Sequence, residues 1–419
     1  MYDILQIDEK IIRNNLINLK QVVFEVTEKC NLNCRYCGLS DQLYLRSNER
    51  KNRDLPFNKV KLLIDYLLSL WKDNKISDTN FQLVVSFYGG EPLINIPLIR
   101  KIIDYIEKSD IEGKKIQYSM TTNAILLEKH IDFLVEKKFN LLISLDGDER
   151  AQSYRVDQSG NNSFNKVTHN VKSVMHKNIE YFNQSVNFIS VLHNRNDVEP
   201  ILHFFKTNFS KVPKIILLNA SGISEDKKEE FRGMFQNMSQ SLMKSQNCEE
   251  IEKEYFFSMP KGYRLSKYLY GASGNIFYYY NQLYMHKLEE NKISTGTCTP
   301  FSKKLFVTAD GKILPCERIN YDLEVGYIND DYVELDYKKV ADLHNSFLSK
   351  CSQQCIHCAT NHFCPQCVYQ IDDIKSKFPN CSYFKTPEMY DKEKENYYDY
   401  LRQHPQYYEK ILNEINFVI

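Results

Sequence analysis

A chain of 419 residues with 54 basic and 54 acidic side chains has no formal net charge, so it lacks the basic balance of a nucleic-acid surface. At 42% hydrophobic and 26% charged it reads as globular, and its length suggests two or three domains. The opening MYDILQIDEKIIRNN has no apolar core of signal-peptide length, and no run of eighteen apolar residues occurs, so no membrane span is expected. The expected compartment is the reducing cytoplasm, where twelve cysteines point to metal or catalysis rather than to disulfides.

From residue 22 onward, strand-like and helix-like segments alternate. VVFEV (22–26), FQLVVSFY (81–88), KIQYSMTT (115–122), LLISL (141–145), VNFISVL (186–192) and KIILLN (214–219) are short apolar runs of the kind found in parallel sheets buried on both faces. Between them apolar residues recur at three and four: Val60, Leu63, Ile64, Leu67, Leu68 and Trp71; Ile99, Ile102, Ile103 and Ile106; Phe164, Val167, Val171 and Val174. Six strand–helix units predict an α/β fold, a partial (β/α)6 TIM-like barrel, with a doubly wound open sheet as the alternative. In a barrel the chemistry sits on loops after the strands. Cys30 follows the first strand, Gly89-Gly90-Glu91-Pro92 the second and Asn123 the third, and SLDG (144–147) closes the fourth.

The expected division is a barrel over 1–220, a charged helical bridge over 221–297, a cysteine-rich module over 298–385 and a C-terminal helix over 386–419. Thr386-Pro387 reads as the N-cap and first-turn proline of that helix. Residues 39–56 are polar and are expected to form a loop over the site. The aromatic run FYYYNQLY (277–284) reads as core packing or as the lining of a channel.

Cys30, Cys34 and Cys37 form C-x3-C-x2-C on one loop. Three thiolates can hold an iron–sulfur cluster with one iron left open. A zinc site or three unrelated thiols is the alternative. CNLNCRYC closely resembles the signature of radical S-adenosylmethionine enzymes. That resemblance implies a 4Fe–4S cluster whose open iron is chelated by S-adenosylmethionine, which is cleaved to a 5′-deoxyadenosyl radical that abstracts hydrogen from a substrate. It further implies that Tyr36 packs near the adenine and that Gly89, Gly90, Glu91 and Pro92 approach the methionyl ammonium. Asn123 belongs to the same cosubstrate site, Ser144 meets the ribose and Arg155 the carboxylate.

A second pattern lies downstream. Cys298 and Cys316 frame a hairpin built on Ala309-Asp310-Gly311-Lys312, with twelve residues between Cys298 and Gly311 and four between Gly311 and Cys316. C-x2-C-x5-C-x2-C follows through Cys355, Cys358, Cys364 and Cys367, and then Cys381. This resembles the SPASM extension of peptide-modifying radical S-adenosylmethionine enzymes, although the last gap is one residue short. The resemblance implies two auxiliary 4Fe–4S clusters, hence three in all. Cys298, Cys316 and Cys367 would serve the nearer one, and Cys355, Cys358, Cys364 and Cys381 the farther one. For the missing ligand of the nearer cluster the candidates are Cys351 or an open iron. A zinc knuckle using His357 and His362 is the alternative, and Cys248 reads as a plain thiol. Glu317 stands where sulfatase-maturing relatives carry an aspartate that takes a substrate proton; a solvated strand-end carboxylate is the other reading.

The function these resemblances imply is maturation of a ribosomally made precursor peptide by an intramolecular cross-link, with oxidation of cysteine or serine to formylglycine as the alternative. A low-potential flavodoxin or ferredoxin would supply electrons. Only about twenty residues precede the first strand, so leader recognition is expected from a separate protein, an internal surface or the C-terminal helix. A non-enzymatic electron carrier or a zinc-stabilised interaction protein is the reading from a different class.

Overall fold

A computed structural model describes residues 3–4, 6–39, 42–44, 50–72, 82–109, 115–220, 222–255, 260–271, 292–293, 295–361 and 364–414. The aromatic run 277–284 and His362 lie outside them, as does a segment of the loop 39–56. The chain divides into two units. One joins Ile7–Cys248 with Cys298–Asp342; the other joins Met1–Gln6, Glu249–Thr297 and Leu343–Ile419. These limits differ from the division expected at 220, 297 and 385.

The first unit is built on strands β1 (Gln21–Thr27), β2 (Gln82–Gly89), β3 (Lys115–Thr122), β4 (Asn140–Ser144), β5 (Val186–Leu192) and β6 (Lys214–Leu217). They lie side by side in chain order, each parallel to the next. A doubly wound sheet would reverse direction at its first strand. This one winds one way only, as a partial (β/α) barrel does. On the other edge β1 pairs in parallel with β7 (Leu305–Val307), which opens an antiparallel run through β8 (Lys312–Leu314), β9 (Gly326–Ile328) and β10 (Val333–Glu334). That pairing explains why residues 298–342 go with the barrel rather than with the later cysteines: ladder hydrogen bonds tie them to β1.

Helix α1 (Glu9–Ile17) precedes β1, and α2 (Phe57–Lys72), α3 (Ile96–Lys108), α4 (Leu127–Glu136), α5 (Phe164–Lys177), α6 (Ile179–Ser185) and α7 (Val198–Phe209) fill the crossovers. Val60, Leu63, Ile64, Leu67 and Trp71 of α2 are buried, as are Ile99, Ile102, Ile103 and Ile106 of α3. Each such side chain contributes roughly 1.5–3 kcal/mol on leaving water. Val22 and Phe24 of β1 and Leu83 and Val85 of β2 meet Ile64, Leu67, Trp71 and Ile106. Strand alternation then turns Gln21, Val23 and Glu25, and Ser86 and Tyr88, to the interior of the barrel.

Short helices α8 (Lys228–Met234) and α9 (Met238–Met243) close the first unit, and α10 (Cys248–Tyr255) starts at its limit. In the second unit α11 (Pro260–Gly271) packs with α13 (Pro387–Gln403) and α14 (Pro405–Glu414) around Leu265, Leu269, Leu401, Tyr407 and Ile411. Helix α12 (Tyr337–Ile356) runs across the limit at 342. Thr386 caps α13, its hydroxyl accepting from the Met389 N–H, with Pro387 in the first turn. The single C-terminal helix expected over 386–419 is two helices, because Pro405 has no N–H to continue the ladder and excludes helical geometry at His404 (φ −129°, ψ 65°). Among the described residues no helix is long and apolar enough to cross a membrane.

Candidate active site

The loop after β1 carries the first cysteines, and the loop after β2 holds it in place. The Gly90 N–H donates to the Thr27 carbonyl at 2.9 Å and the Glu91 N–H to the Lys29 carbonyl at 2.8 Å. A Cβ at Gly89 would stand 2.2 Å from the Thr27 oxygen, and one at Gly90 2.2 Å from the Lys29 oxygen. Gly89 also has φ +143°, open to glycine alone. Both glycines are therefore required by the contact between two stretches of backbone. Pro92 is buried and starts a short 3-10 helix capped by Glu91.

Glu91 is 1% exposed and joins the loops after β2 and β3. It accepts from the Asn123 N–H (2.7 Å), the Thr122 hydroxyl (2.7 Å) and the Leu93 N–H (3.1 Å). Burial lifts its pKa to about 7 against those hydrogen bonds. Asn123 in turn donates to Asn31 Oδ1 at 2.8 Å and approaches Cys30 Sγ at 3.8 Å. Ala124 follows in left-handed backbone (φ 62°), held by Thr122 Oγ1 accepting from its N–H.

Cys30, Cys34 and Cys37 are electrostatic neighbours of one another, and burial pushes the Cys30 and Cys34 thiols up to about 12. The Cys37 N–H donates to the Cys34 carbonyl, closing a turn. Binding to metal displaces the proton from a thiol, so a cluster held by these three would form with proton release.

Beside this loop lies a buried polar group that periodicity does not reveal. Asp146, in the SLDG stretch, is fully buried. It accepts from the Val191 N–H (3.0 Å) and the Tyr36 hydroxyl, stands 3.1 Å from Arg155 Nε, and has His193 Nε2 at 3.7 Å. Burial favours its neutral acid, but the Arg155 charge prevails and holds the carboxyl below its usual range. The Arg155 Nε–H is buried and aligned on no acceptor. The Tyr36 ring packs against Tyr154 (6.1 Å, edge-on) and His193 (5.7 Å), and the Arg155 guanidinium is 5.3 Å from its centroid. Ser144 lies half-buried at the end of β4. The cue for Asp146 was its place two residues past Ser144; nothing in the sequence pointed to His193.

The barrel interior holds a cavity of about 330 Å³, lined among others by Ser86, Tyr88, Ser119, Asn140, Lys304 and Glu317. That is within the ~300–1,000 Å³ of small-ligand sites. Gln21 Nε2 donates to Ser86 Oγ at 2.6 Å, and Ser86 Oγ meets Ser119 Oγ at 2.5 Å, which gives the cavity a polar floor. Glu317 Oε1 accepts from Lys304 Nζ at 3.0 Å. Burial raises the Glu317 pKa, yet the Lys304 charge outweighs it and keeps the group a carboxylate. Tyr88 has Cys37, Glu317, Glu25 and Arg50 as its electrostatic neighbours, and Glu25 and Arg50 form a buried pair at 2.8 Å. Cys316, half-buried, is 3.5 Å from Glu317 Oε2, and burial lifts its thiol to about 11. Cys298 is exposed. The Ala309–Lys312 turn is present, with Gly311 at φ +100° and the Gly311 N–H donating to the Thr308 carbonyl.

In the second unit five thiols gather. Cys351 and Cys355 are one turn apart on α12, and Cys355 has Cys351, Cys364, Cys381 and Cys358 as electrostatic neighbours. Cys381 is fixed to the end of α12 by its N–H donating to Gln354 Oε1 at 2.9 Å. Cys351 is 2% exposed, with Cys381, Asp373, Lys350 and Cys364 as its electrostatic neighbours. Of these neighbours, Cys381 and Cys364 belong to the set expected for the farther cluster. Cys367 opens a short 3-10 helix, and the Val368 N–H donates to Thr297 Oγ1 at 2.9 Å. His357 is exposed. Among the described residues no three His, Cys, Asp or Glu side chains close on one point tightly enough for a single metal ion. Thiolates ~2.3 Å from one tetrahedral zinc would stand ~3.8 Å apart.

A parallel barrel with three cysteines after β1 and a glycine-rich turn after β2 is the arrangement expected of a radical S-adenosylmethionine domain. Residues 24–205 match the Radical SAM superfamily, and the chain carries that domain. It is 28% identical over 194 residues to the cysteine-type anaerobic sulfatase-maturating enzyme of Clostridium novyi (strain NT), covering 45% of this chain and 48% of that one. It is 25% identical over 311 residues to the radical SAM cyclopropyl synthase TigE of Paramaledivibacter caminithermalis, covering 71% and 57%. Over 143 residues it is 38% identical to the uncharacterized protein MJ0907 of Methanocaldococcus jannaschii, covering 34% and 44%. The matches span about half the length of these relatives. Among solved structures, native anSMEcpe with bound AdoMet shares the fold, with TM-score 0.60 and 19% identity over 94% of this chain and 100% of that one.

The residues fit the cofactors the family implies. Three neighbouring thiols suit a cluster with one open iron, and the Arg155 guanidinium, an electrostatic neighbour of Cys34, is a cation of the kind that binds a carboxylate.

Proposed function

We propose that this protein is a peptide maturase that removes hydrogen from a ribosomally made precursor and closes an intramolecular cross-link. In this reading the 4Fe–4S cluster on Cys30, Cys34 and Cys37, with S-adenosylmethionine, supplies the 5′-deoxyadenosyl radical. Tyr36, Gly89, Gly90, Glu91, Pro92, Asn123, Ser144 and Arg155 surround the cosubstrate. Two auxiliary clusters, one on Cys298, Cys316 and Cys367 with Cys351 as the candidate fourth ligand and one on Cys355, Cys358, Cys364 and Cys381, take the electron left by ring closure. The reductant would be a flavodoxin or ferredoxin, and the leader would be recognised by another protein or by another surface of this one.

The observation that carries the reading is Glu317. It is an ionised carboxylate on the wall of the barrel cavity, held by Lys304 at 3.0 Å and adjoining Cys316. A carboxylate there can accept the proton of the group that attacks the substrate radical. The substrate then loses one hydrogen atom, one proton and one electron, which balances as a loss of two hydrogens.

The sulfatase-maturating relative keeps a second reading open, oxidation of a cysteine or serine to formylglycine. The test incubates the reconstituted protein, S-adenosylmethionine and reductant with the short peptide encoded beside its gene. Loss of two hydrogens with fragmentation blocked across a ring supports the cross-link. Modification only of a sulfatase-type cysteine or serine peptide moves the assignment to formylglycine. If reductant yields no 5′-deoxyadenosine, both readings fail. Glu317→Gln is expected to abolish peptide modification while leaving uncoupled 5′-deoxyadenosine formation intact.

A further inference from the structure

Tyr88 stands between the glycine turn after β2 and the proposed base Glu317. It is the penultimate residue of β2, directly before Gly89, and alternation turns it to the barrel interior, where it lines the cavity with Glu317 and Lys304. Its ring is fixed edge-on against Phe306 of β7, centroids 6.1 Å apart. Among the described residues its hydroxyl has no hydrogen-bond partner, although the polar side chains around it are paired: Gln21 with Ser86, Ser86 with Ser119, Lys304 with Glu317 and Glu25 with Arg50. Its electrostatic neighbours are Cys37 on the one hand and Glu317 on the other. A phenol held edge-on in a polar cavity and bonded to none of these pairs has its hydrogen bond left for whatever enters.

We infer that Tyr88 is a substrate-binding residue whose hydroxyl donates a hydrogen bond to a carbonyl oxygen of the peptide, placing the reacting residue between the Cys30–Cys37 loop and Glu317. A carbonyl is the fitting acceptor. A neutral phenol is matched by a neutral acceptor, and a peptide presents one at every residue. The inference rests on the peptide reading above and adds a contact which that reading does not require.

The test is Tyr88→Phe, which keeps the ring against Phe306 and removes only the hydroxyl. With the same neighbouring-gene peptide, KM is expected to rise about fivefold to tenfold, the effect of one lost neutral hydrogen bond. Uncoupled 5′-deoxyadenosine formation without peptide should stay at the wild-type rate. Tyr88→Gln, which restores a donor, should recover some of the loss. If Tyr88→Phe binds and modifies the peptide like wild type, the inference is overturned. It is also overturned if uncoupled cleavage falls in parallel, since the residue then acts on the cosubstrate. Failure of the wild type to modify any peptide while still making 5′-deoxyadenosine would instead refute the peptide reading, and this contact with it.

Discussion

The Cα of Gly90 faces the backbone of Lys29 so closely that a β-carbon would stand 2.2 Å from the Lys29 carbonyl oxygen and 2.6 Å from that of Glu28. The turn after β2 and the cysteine loop after β1 are therefore one packed unit. Gly90→Ala must push these backbones away from each other, since no flexible side chain can yield. It is expected to destabilise the fold by at least ~2 kcal/mol and to lower the iron bound at Cys30, Cys34 and Cys37. Urea unfolding and iron content of the purified variant measure both. A variant with wild-type iron and midpoint would show that the clamp is dispensable.

The buried pair of Asp146 and Arg155 makes a second prediction. Replacing Asp146 with Asn leaves a buried guanidinium without its counter-charge, which costs about 3–5 kcal/mol when a buried pair is broken on one side. The double variant Asp146→Asn with Arg155→Met removes both charges and should recover some of that loss. Chemical denaturation of the four proteins of this cycle gives the coupling. Additive losses would mean that the two charges do not depend on each other.

Acid sensitivity is expected from His344 on α12. The ring is 2% exposed with Nδ1 3.0 Å from the Tyr369 hydroxyl, and burial pulls its pKa from 6.5 down to about 4. Above pH 6.5 the folded and unfolded chains both hold it neutral, so its stabilising effect is complete there. As the pH falls from 6.5 towards 4, the unfolded chain takes a proton that the folded one refuses, and stability drops. Between pH 7 and pH 5 the loss from this group is roughly 2 kcal/mol. His344→Gln should flatten that stretch of the pH profile; an unchanged slope would place the acid sensitivity elsewhere.

Five thiols around Cys355 exceed the four that a cubane cluster takes from protein. Cys351→Ser is expected to leave total iron unchanged, because Cys355, Cys358, Cys364 and Cys381 remain to hold a cluster. Cys355→Ser removes the thiol that the other four all neighbour and should cost about four irons. Loss of a cluster from Cys351→Ser would make Cys351 an obligatory ligand.

The parallel strands were legible because each is a short apolar run bounded by polar loops. β1 to β6 overlap the runs from VVFEV to KIILLN, and the helical spacings of α2 and α3 name the residues that are buried. The cysteine spacings were legible for a similar reason, since close thiols must share one loop. The break at Pro405 could have been read from the residue itself, as proline excludes a continuous helix there.

What sequence by itself determined is therefore local: which segments form strands and helices, which loops bear thiols, and which family those loops resemble. Tertiary structure alone decided what meets across long separations. Tyr36 reaches Asp146 and Arg155, Lys304 reaches Glu317 across the two ends of a hairpin, and Cys351 has Cys381 as an electrostatic neighbour. The pairing of β7 with β1 placed residues 298–342 with the barrel. Periodicity reports which face of an element is buried, because burial of that face repeats with the backbone geometry. It carries no record of the partner, since a single carboxylate or thiol looks the same whatever the fold brings against it.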